Sequence, residues 1–129
     1  MKVKCKKVLN WALPYLAIAT MIYIIMYPQL ISHGVILGTD SIFHFNRFYD
    51  TAKQIQQGSW SYFQSNFSFQ QSGRVINAVY GPLFAYLNGI LLGLLGTWFR
   101  YQVISSFLVY FIGGVGMYQL AIKVKASRR

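Results

Sequence analysis

The residues able to carry acid–base or phosphate chemistry lie close together in one short segment. Asp40 and Asp50 are the only two acidic residues, and His44 and Arg47 lie between them. A positioned carboxylate can act as a general base or bind a cation, and the planar guanidinium of arginine suits a phosphate. Asp40 is therefore a candidate catalytic residue, and His44 and Arg47 are candidate substrate-binding residues.

Each of these residues also has a simpler structural interpretation. Thr39 and Asp40 both suit a helix N-terminus, where a negative charge meets the helix dipole. His44 needs no special role on a polar helix face, and Arg47 could form a surface ion pair with Asp50, three residues on. Two carboxylates and two histidines cannot fill a closed metal shell. No metal ligand is predicted, and a divalent-cation cofactor stays open without a full ligand set.

The segment that positions these residues has the periodicity of an amphipathic helix over residues 40–57. At about 100° per residue one arc is apolar, and the opposite arc is polar. The apolar arc contains Ile42, Phe45, Phe48, Tyr49, Ala52 and Ile55, and the polar arc contains Asp40, His44, Arg47, Thr51 and Gln54. We expect this helix to lie in the external membrane interface with its apolar side in lipid, and to end at Gly58.

The following stretch, residues 59–77, mixes aromatic rings with Ser, Gln and Asn. Such a mixture can stack on a sugar and hydrogen-bond to its hydroxyls, which makes Trp60 a further candidate substrate-binding residue. An interfacial loop that rests on lipid headgroups has the same composition, so both interpretations of Trp60 stand.

The composition of the whole chain indicates a membrane protein. Hydrophobic residues make up 55% of the 129 residues and charged residues only 11%, whereas soluble domains carry about 25% charged residues. The net charge of +10 does not indicate a nucleic-acid partner, because four lysines precede the first apolar run and four basic residues follow the last. Such clusters are typical of cytoplasmic membrane faces. We expect membrane lipid as a partner and no nucleic acid.

Three uncharged runs, at residues 8–31, 78–99 and 101–122, lie between a cytoplasmic basic end at 1–7 and a basic tail at 123–129. The first and third are long enough to cross a hydrocarbon core of ~30 Å as helices. The second is interrupted by Pro82 and Asn88, and it carries Gly89 and Gly93 at the spacing of a close helix contact. It is either a third transmembrane helix or a membrane-embedded segment.

The topology depends on this second run. If all three runs cross, the two basic ends lie on opposite sides, against the positive-inside rule. Hydropathy favours three spans, and charge asymmetry favours two spans plus an embedded segment, which we predict. The predicted fold is an all-α integral membrane protein with two to three transmembrane helices and an external amphipathic interface helix. It is multi-pass in the plasma membrane, with residues 32–77 as the external loop.

Three short motifs resemble a known family. They are residues 38–47 (GTDSIFHFNR), 80–87 (YGPLFAYL) and 116–121 (GMYQLA). After a basic start and one membrane helix, this order is similar to the amino-terminal part of GT-C type membrane glycosyltransferases. The closest likeness is to large bacterial membrane proteins related to those that glycosylate cell-wall polymers from polyprenyl-phosphate sugars.

The resemblance implies that Asp40 matches the essential acidic residue of the first external loop, and that residues 80–87 match a Pro-containing interface helix. It also implies a polyprenyl-phosphate-linked sugar as substrate. Members of that family continue through many further helices. We therefore expect a truncated fragment that is inactive alone and is completed by further membrane helices from a partner chain.

Functions of two other classes stay open. The first is a small non-enzymatic membrane subunit that packs on a partner through glycine surfaces, at Gly89 and Gly93 and at Gly113, Gly114 and Gly116. The second is a pore-forming or membrane-perturbing protein. The absence of a continuous polar stripe along any of the apolar runs argues against the second.

Overall fold

The computed structural model describes residues 2–61 and 63–124, with side chains from Trp11 onward. This part of the chain is mostly helical, as the sequence predicts. Its helices are α1 (Lys2–Ser32), α2 (Ser41–Gln57), α3 (Pro82–Leu95) and α4 (Trp98–Lys123), and a short antiparallel ribbon of β1 (Gln64–Ser65) and β2 (Arg74–Val75) encloses a 3-10 turn at Phe69–Gln71. The chain divides into two compact units, Met1–Gly34 with Gln102–Arg129, and Val35–Tyr101.

Two helices are long and apolar enough to cross a membrane: Trp11–Ser32, in the first unit, and Trp98–Lys123, which belongs to the first unit from Gln102 onward. At 1.5 Å per residue their 22 and 26 residues span roughly 33 and 39 Å, more than a ~30 Å hydrocarbon core requires. In the most apolar stretch of each helix, only 17% of the residues of the first helix and 0% of those of the second are buried. The apolar side chains therefore mostly face outward. The predicted segments 8–31 and 101–122 correspond to these helices, although the basic end is already helical from Lys2.

The two long helices pack antiparallel along each other. Gln29 Nε2 donates to Gln102 Oε1 at 2.7 Å, and near the other end Gln119 Nε2 donates to the Tyr15 hydroxyl at 2.8 Å. Between these pairs, Gly114 leaves room for the Ile18 side chain, because a Cβ on Gly114 would lie 2.8 Å from Ile18 Cγ2. Later residues of α1 therefore meet earlier residues of α4. The start of α1 and the end of α4 lie at the same end of the pair.

α3 is shorter than the apolar run from which it was predicted. It begins at Pro82, a residue suited to the first helical turn, and it ends at Gly96, which adopts a left-handed backbone with φ of 72°. Its 14 residues span roughly 21 Å, less than a hydrocarbon core. The helix lengths therefore agree with two long helices and one shorter apolar helix, not with three of spanning length.

The second unit is built on the packing of α2 against α3. Its core contains Phe48 and Ala52 from α2, Ala85 and Leu92 from α3 and Tyr101 from α4. The two helices approach closely at Gly89, where an added Cβ would lie 2.8 Å from Thr51 Cβ and 3.0 Å from the Ala52 backbone nitrogen. The glycine surface predicted for a partner is thus used inside this unit at Gly89.

The predicted helix at 40–57 is present, but part of each of its two faces is buried inside the protein. Phe48 and Ala52 of the apolar arc pack inside the protein and not in lipid, whereas Ile42 stays 63% exposed. On the polar arc, Arg47 and Gln54 are each only 1% exposed. Arg47 and Gln54 are buried because later segments of the chain lie against them and supply hydrogen-bond partners, at Ser61, Gln64 and Tyr80.

Candidate functional site

Asp40 lies at the N-terminus of α2 in the N-cap position, as the sequence predicts, yet its carboxylate makes no capping hydrogen bond. The turn before the helix is held by Ser41 instead: the Gly38 amide donates to Ser41 Oγ at 2.7 Å, and the Ser41 amide donates to the Gly38 carbonyl at 3.2 Å. Asp40 is exposed. Within the described part of the chain its carboxylate has no hydrogen-bond partner, so it is accessible to a ligand.

His44 follows one turn later and is oriented by its neighbours. Its backbone amide donates to the Asp40 carbonyl at 3.1 Å, and its ring Nδ1 lies 3.3 Å from Arg47 Nη1. A guanidinium can only donate, so Nδ1 is the acceptor and the proton of the neutral ring is on Nε2. The ring also contacts Phe43 and Tyr80, with centroids 5.3 and 6.1 Å away. His44 therefore has a fixed tautomer and a fixed orientation.

Arg47 is buried at the centre of this arrangement. Its Nε donates to Asn77 Oδ1 at 3.2 Å, and its Nη2 donates to the Tyr80 carbonyl at 3.0 Å and to the Gly81 carbonyl at 3.4 Å. The guanidinium also lies 5.2 Å from the centroid of the Tyr80 ring. Burial lowers the pKa of Arg47 from its ordinary value, and the nearby Tyr80 acts in the opposite direction. Most of its donors are used to hold the 77–81 segment against α2.

Asp50 is not part of a surface ion pair with Arg47, which corrects the interpretation drawn from their spacing. It is fully buried. Its Oδ1 accepts hydrogen bonds from the backbone amides of Phe67 at 2.6 Å and Ser68 at 3.1 Å, and its Oδ2 accepts one from Gln54 Nε2 at 2.5 Å. Besides Gln54 on the same helix, the partners of Asp50 are backbone amides 17 and 18 residues further along the chain, beyond the reach of a helix periodicity. The carboxylate fixes the ribbon segment to α2.

The two carboxylates cannot act on one ligand. They are ten residues apart on a helix, which corresponds to roughly 15 Å, and one is exposed whereas the other is buried. Among the described residues, no group of three or more His, Cys, Asp or Glu side chains could hold a metal ion. Among these residues, Asp40 therefore has no cluster of protein ligands around it that could enclose a cation.

Trp60 is placed apart from the other candidates. It is 66% exposed and stacks on Tyr86 of α3, with centroids 5.8 Å apart and planes at 19°. The structure thus brings His44 and Arg47 into contact and sets Asp40 one helical turn away, whereas Trp60 stacks on α3. An exposed aromatic platform of this kind suits a sugar ring or a lipid headgroup equally.

The structure adds two residues that the sequence did not single out. Asn77 is 2% exposed and accepts from Arg47, and Ser41 forms the turn that presents Asp40. A serine directly after Thr39 and Asp40 was the available signal for the turn, whereas nothing in the spacing of Asn77 indicates its role.

Comparisons of this chain with known protein families, curated proteins and solved structures found no match.

Proposed function

We propose that the chain is a multi-pass plasma-membrane protein whose helices α1 and α4 cross the bilayer as an antiparallel pair. The support is their length, their exposed apolar side chains and their packing, which sets the start of α1 and the end of α4 at one end of the pair. Four basic residues flank each apolar run there, and the positive-inside rule assigns that end to the cytoplasm. The connection between the two spans, which includes Asp40, then lies outside the cell.

The function that this arrangement supports best is that of the amino-terminal part of a membrane glycosyltransferase using a polyprenyl-phosphate-linked sugar. One observation carries it. Of the two acidic residues, Asp50 is fully buried and bonded to the fold, whereas Asp40 is exposed and has no partner among the described residues. The chain therefore presents a single carboxylate for chemistry, on a rigid turn at the start of a helix, and it is the one that the family resemblance indicates.

In the proposed reaction, the Asp40 carboxylate accepts the proton of an acceptor hydroxyl. The hydroxyl oxygen attacks the anomeric carbon of the donor, and polyprenyl phosphate leaves with the electron pair of the bond to that carbon, so the configuration inverts. His44 Nε2–H is a fixed donor one turn from Asp40. Arg47 acts as a positioning residue, since it holds the His44 ring and most of its donors are already engaged. The partner chain supplies the remaining helices.

The test compares transfer to an envelope polymer in cells that express the chain together with the membrane partners that complete the enzyme. Asp40→Asn should lower transfer by roughly 10²–10⁴-fold, the usual loss for a general base, at unchanged abundance. The Asp40 carboxylate makes no capping hydrogen bond, so the amide leaves folding unchanged. Ser41→Ala is the matched control, because it perturbs the same turn without removing the carboxylate. Equal transfer by Asp40→Asn and the parent would refute the proposal.

The alternative is a non-enzymatic subunit, and one observation favours it. Gly113 and Gly116 on α4 have no atom within 4 Å of where a Cβ would be, and Ile112 and Met117 beside them are 68% and 67% exposed. This surface can accept another membrane helix closely. The test is crosslinking of a cysteine at position 112 to a partner helix. Crosslinking that is lost with Gly113→Leu and with Gly116→Leu, but kept with Gly93→Leu, would support this function over the transferase.

A further inference from the structure

We infer that a groove on the Val35–Tyr101 unit binds an anionic phospholipid, with an acyl chain in its apolar part and the headgroup phosphate at Lys53. This site is separate from Asp40, and the inference rests only on the membrane insertion in the proposed function, not on transferase activity. It is carried by the shape of the groove, the separation of its apolar and polar parts, and its single positive charge.

The apolar part of the groove has a volume of about 370 Å³, within the range of about 300–1,000 Å³ usual for ligand clefts. Its apolar walls are formed by Val35, Leu37, Ile42, Phe45, Tyr49 and Trp98. The one amide there, Asn46, already donates to the Ile42 carbonyl at 2.9 Å. Phe45 stacks on Trp98 at 4.7 Å between centroids, so this wall is rigid. An apolar chain is the ligand that such a surface accepts.

A second, smaller part of about 190 Å³ lies next to the first, and Tyr49 and Trp98 line both. The polar side chains there are Lys53 and Gln56. Gly93 lies on the opposite side, and an added Cβ there would still be 3.9 Å from Gln56 Nε2. The missing side chain thus leaves space beside the lysine.

The charge of the polar part selects the headgroup. Lys53 Nζ lies 5.8 Å from the centroid of the Tyr49 ring, and no carboxylate forms an ion pair with it within the described residues. The lining of both parts contains no acidic residue. A single uncompensated ammonium beside an apolar channel is complementary to a lipid phosphate with an anionic headgroup.

Two residues that line the groove are close along the chain to the candidate spans. Val35 follows the last residue of α1, Ser32, by three positions, and Trp98 is the first residue of α4. Three residues extend at most about 10 Å. Because α1 and α4 are the candidate spans, the chain connects both lining residues directly to span ends, and tryptophan is enriched at such ends.

The experiment uses tryptophan quenching by brominated acyl chains in the full-length chain reconstituted in vesicles. One version keeps only Trp98, through Trp11→Phe and Trp60→Phe, and a second version keeps only Trp11 to report insertion of α1. Each is measured in vesicles that contain a small fraction of dibrominated phosphatidylglycerol or dibrominated phosphatidylcholine. We expect Trp98 to be quenched about two- to fivefold more effectively by phosphatidylglycerol, as one partly screened ion pair allows.

Two pairs of variants separate the groove from general attraction to an anionic membrane. Lys53→Gln should abolish the preference for phosphatidylglycerol at Trp98, and Arg74→Gln, which removes an exposed charge elsewhere in the unit, should preserve it. Leu37→Asp should weaken quenching at Trp98 by either lipid, and Leu83→Asp, at an exposed apolar position outside the groove, should not.

The outcomes distinguish this inference from the proposed function. If Trp11 is quenched but Trp98 shows no headgroup preference, or keeps its preference in Lys53→Gln, the phospholipid site is refuted and the membrane protein stands. If Trp11 is not quenched by either lipid, the membrane insertion itself is wrong and both proposals fall. Lys53→Gln and Arg74→Gln could also reduce the preference of Trp98 for phosphatidylglycerol equally. That result would indicate general attraction of the protein to an anionic membrane surface and would also overturn the site.

Discussion

Replacing Asp50 with asparagine tests the largest difference between the sequence and the structure. As a surface ion pair with Arg47, Asp50 would contribute less than about 1 kcal/mol. In the structure its carboxylate accepts from the amides of Phe67 and Ser68 and from Gln54. An asparagine must place its NH₂ group at one of the two oxygen positions. At least one of the three N–H groups that donate to Asp50 then faces this NH₂ group, which cannot accept its hydrogen bond.

The magnitude follows from these contacts. A hydrogen bond to a charged group contributes about 1.5–3 kcal/mol and a neutral one about 0.5–1.5 kcal/mol. The two hydrogen bonds that remain in the variant have a neutral acceptor, so together they lose about 2 kcal/mol. The donor left unsatisfied in a buried site costs a further 1–3 kcal/mol or so. Gln54 cannot relieve this by rotating its amide, since Nε2 also donates to the Gln64 carbonyl and Oε1 accepts from the Ser61 amide. Asp50→Asn should destabilise the ribbon by roughly 3–5 kcal/mol.

The assay is hydrogen exchange of the Phe67 and Ser68 amides in the full chain in detergent micelles. At 1.36 kcal/mol for each factor of ten, these amides should exchange roughly 10²–10⁴-fold faster in Asp50→Asn, up to the limit set by global unfolding. Asp40→Asn makes the same substitution at the exposed acid and should leave both rates nearly unchanged. Similar exchange in the two variants would show that Asp50 does not fix the ribbon and that the reasoning is wrong.

Three further predictions concern packing, the buried arginine and topology. Gly89→Ala should destabilise the α2–α3 contact by about 1–3 kcal/mol, because its Cβ would overlap the facing helix, whereas Gly93→Ala should be neutral or slightly stabilising in thermal unfolding followed by circular dichroism. Arg47→Lys should lose the forked contacts to neighbouring carbonyls and unfold at a lower temperature, by several degrees, because an ammonium cannot reach all of these acceptors. A reporter enzyme fused after Arg129 should be active only in the cytoplasm, and activity found only outside the cell would exclude the two-span topology.

The sequence by itself determined the elements that depend on local patterns. The amphipathic period predicted α2 to within one residue, and Gly58 ends it with a left-handed φ of 68°. Uncharged runs predicted α1 and α4, since length and hydropathy are local properties. Pro82 predicted a weak second span, and the helix there is too short to cross. Charge at the two ends already favoured a common side for them, and the antiparallel packing of α1 and α4 agrees with it.

Only the tertiary structure decided which polar side chains are available. Helix periodicity places Arg47 and Gln54 on one polar face, but it does not predict which residues cover that face. Residues 64–81 cover it, and their backbone amides and carbonyls satisfy the buried guanidinium of Arg47, the amide of Gln54 and the Asp50 carboxylate. A buried polar group is tolerated only with such partners, and these partners are many residues away along the chain. These segments do not cover Asp40, which stays exposed. Of the two aspartates, Asp40 is therefore accessible, whereas Asp50 supports the fold.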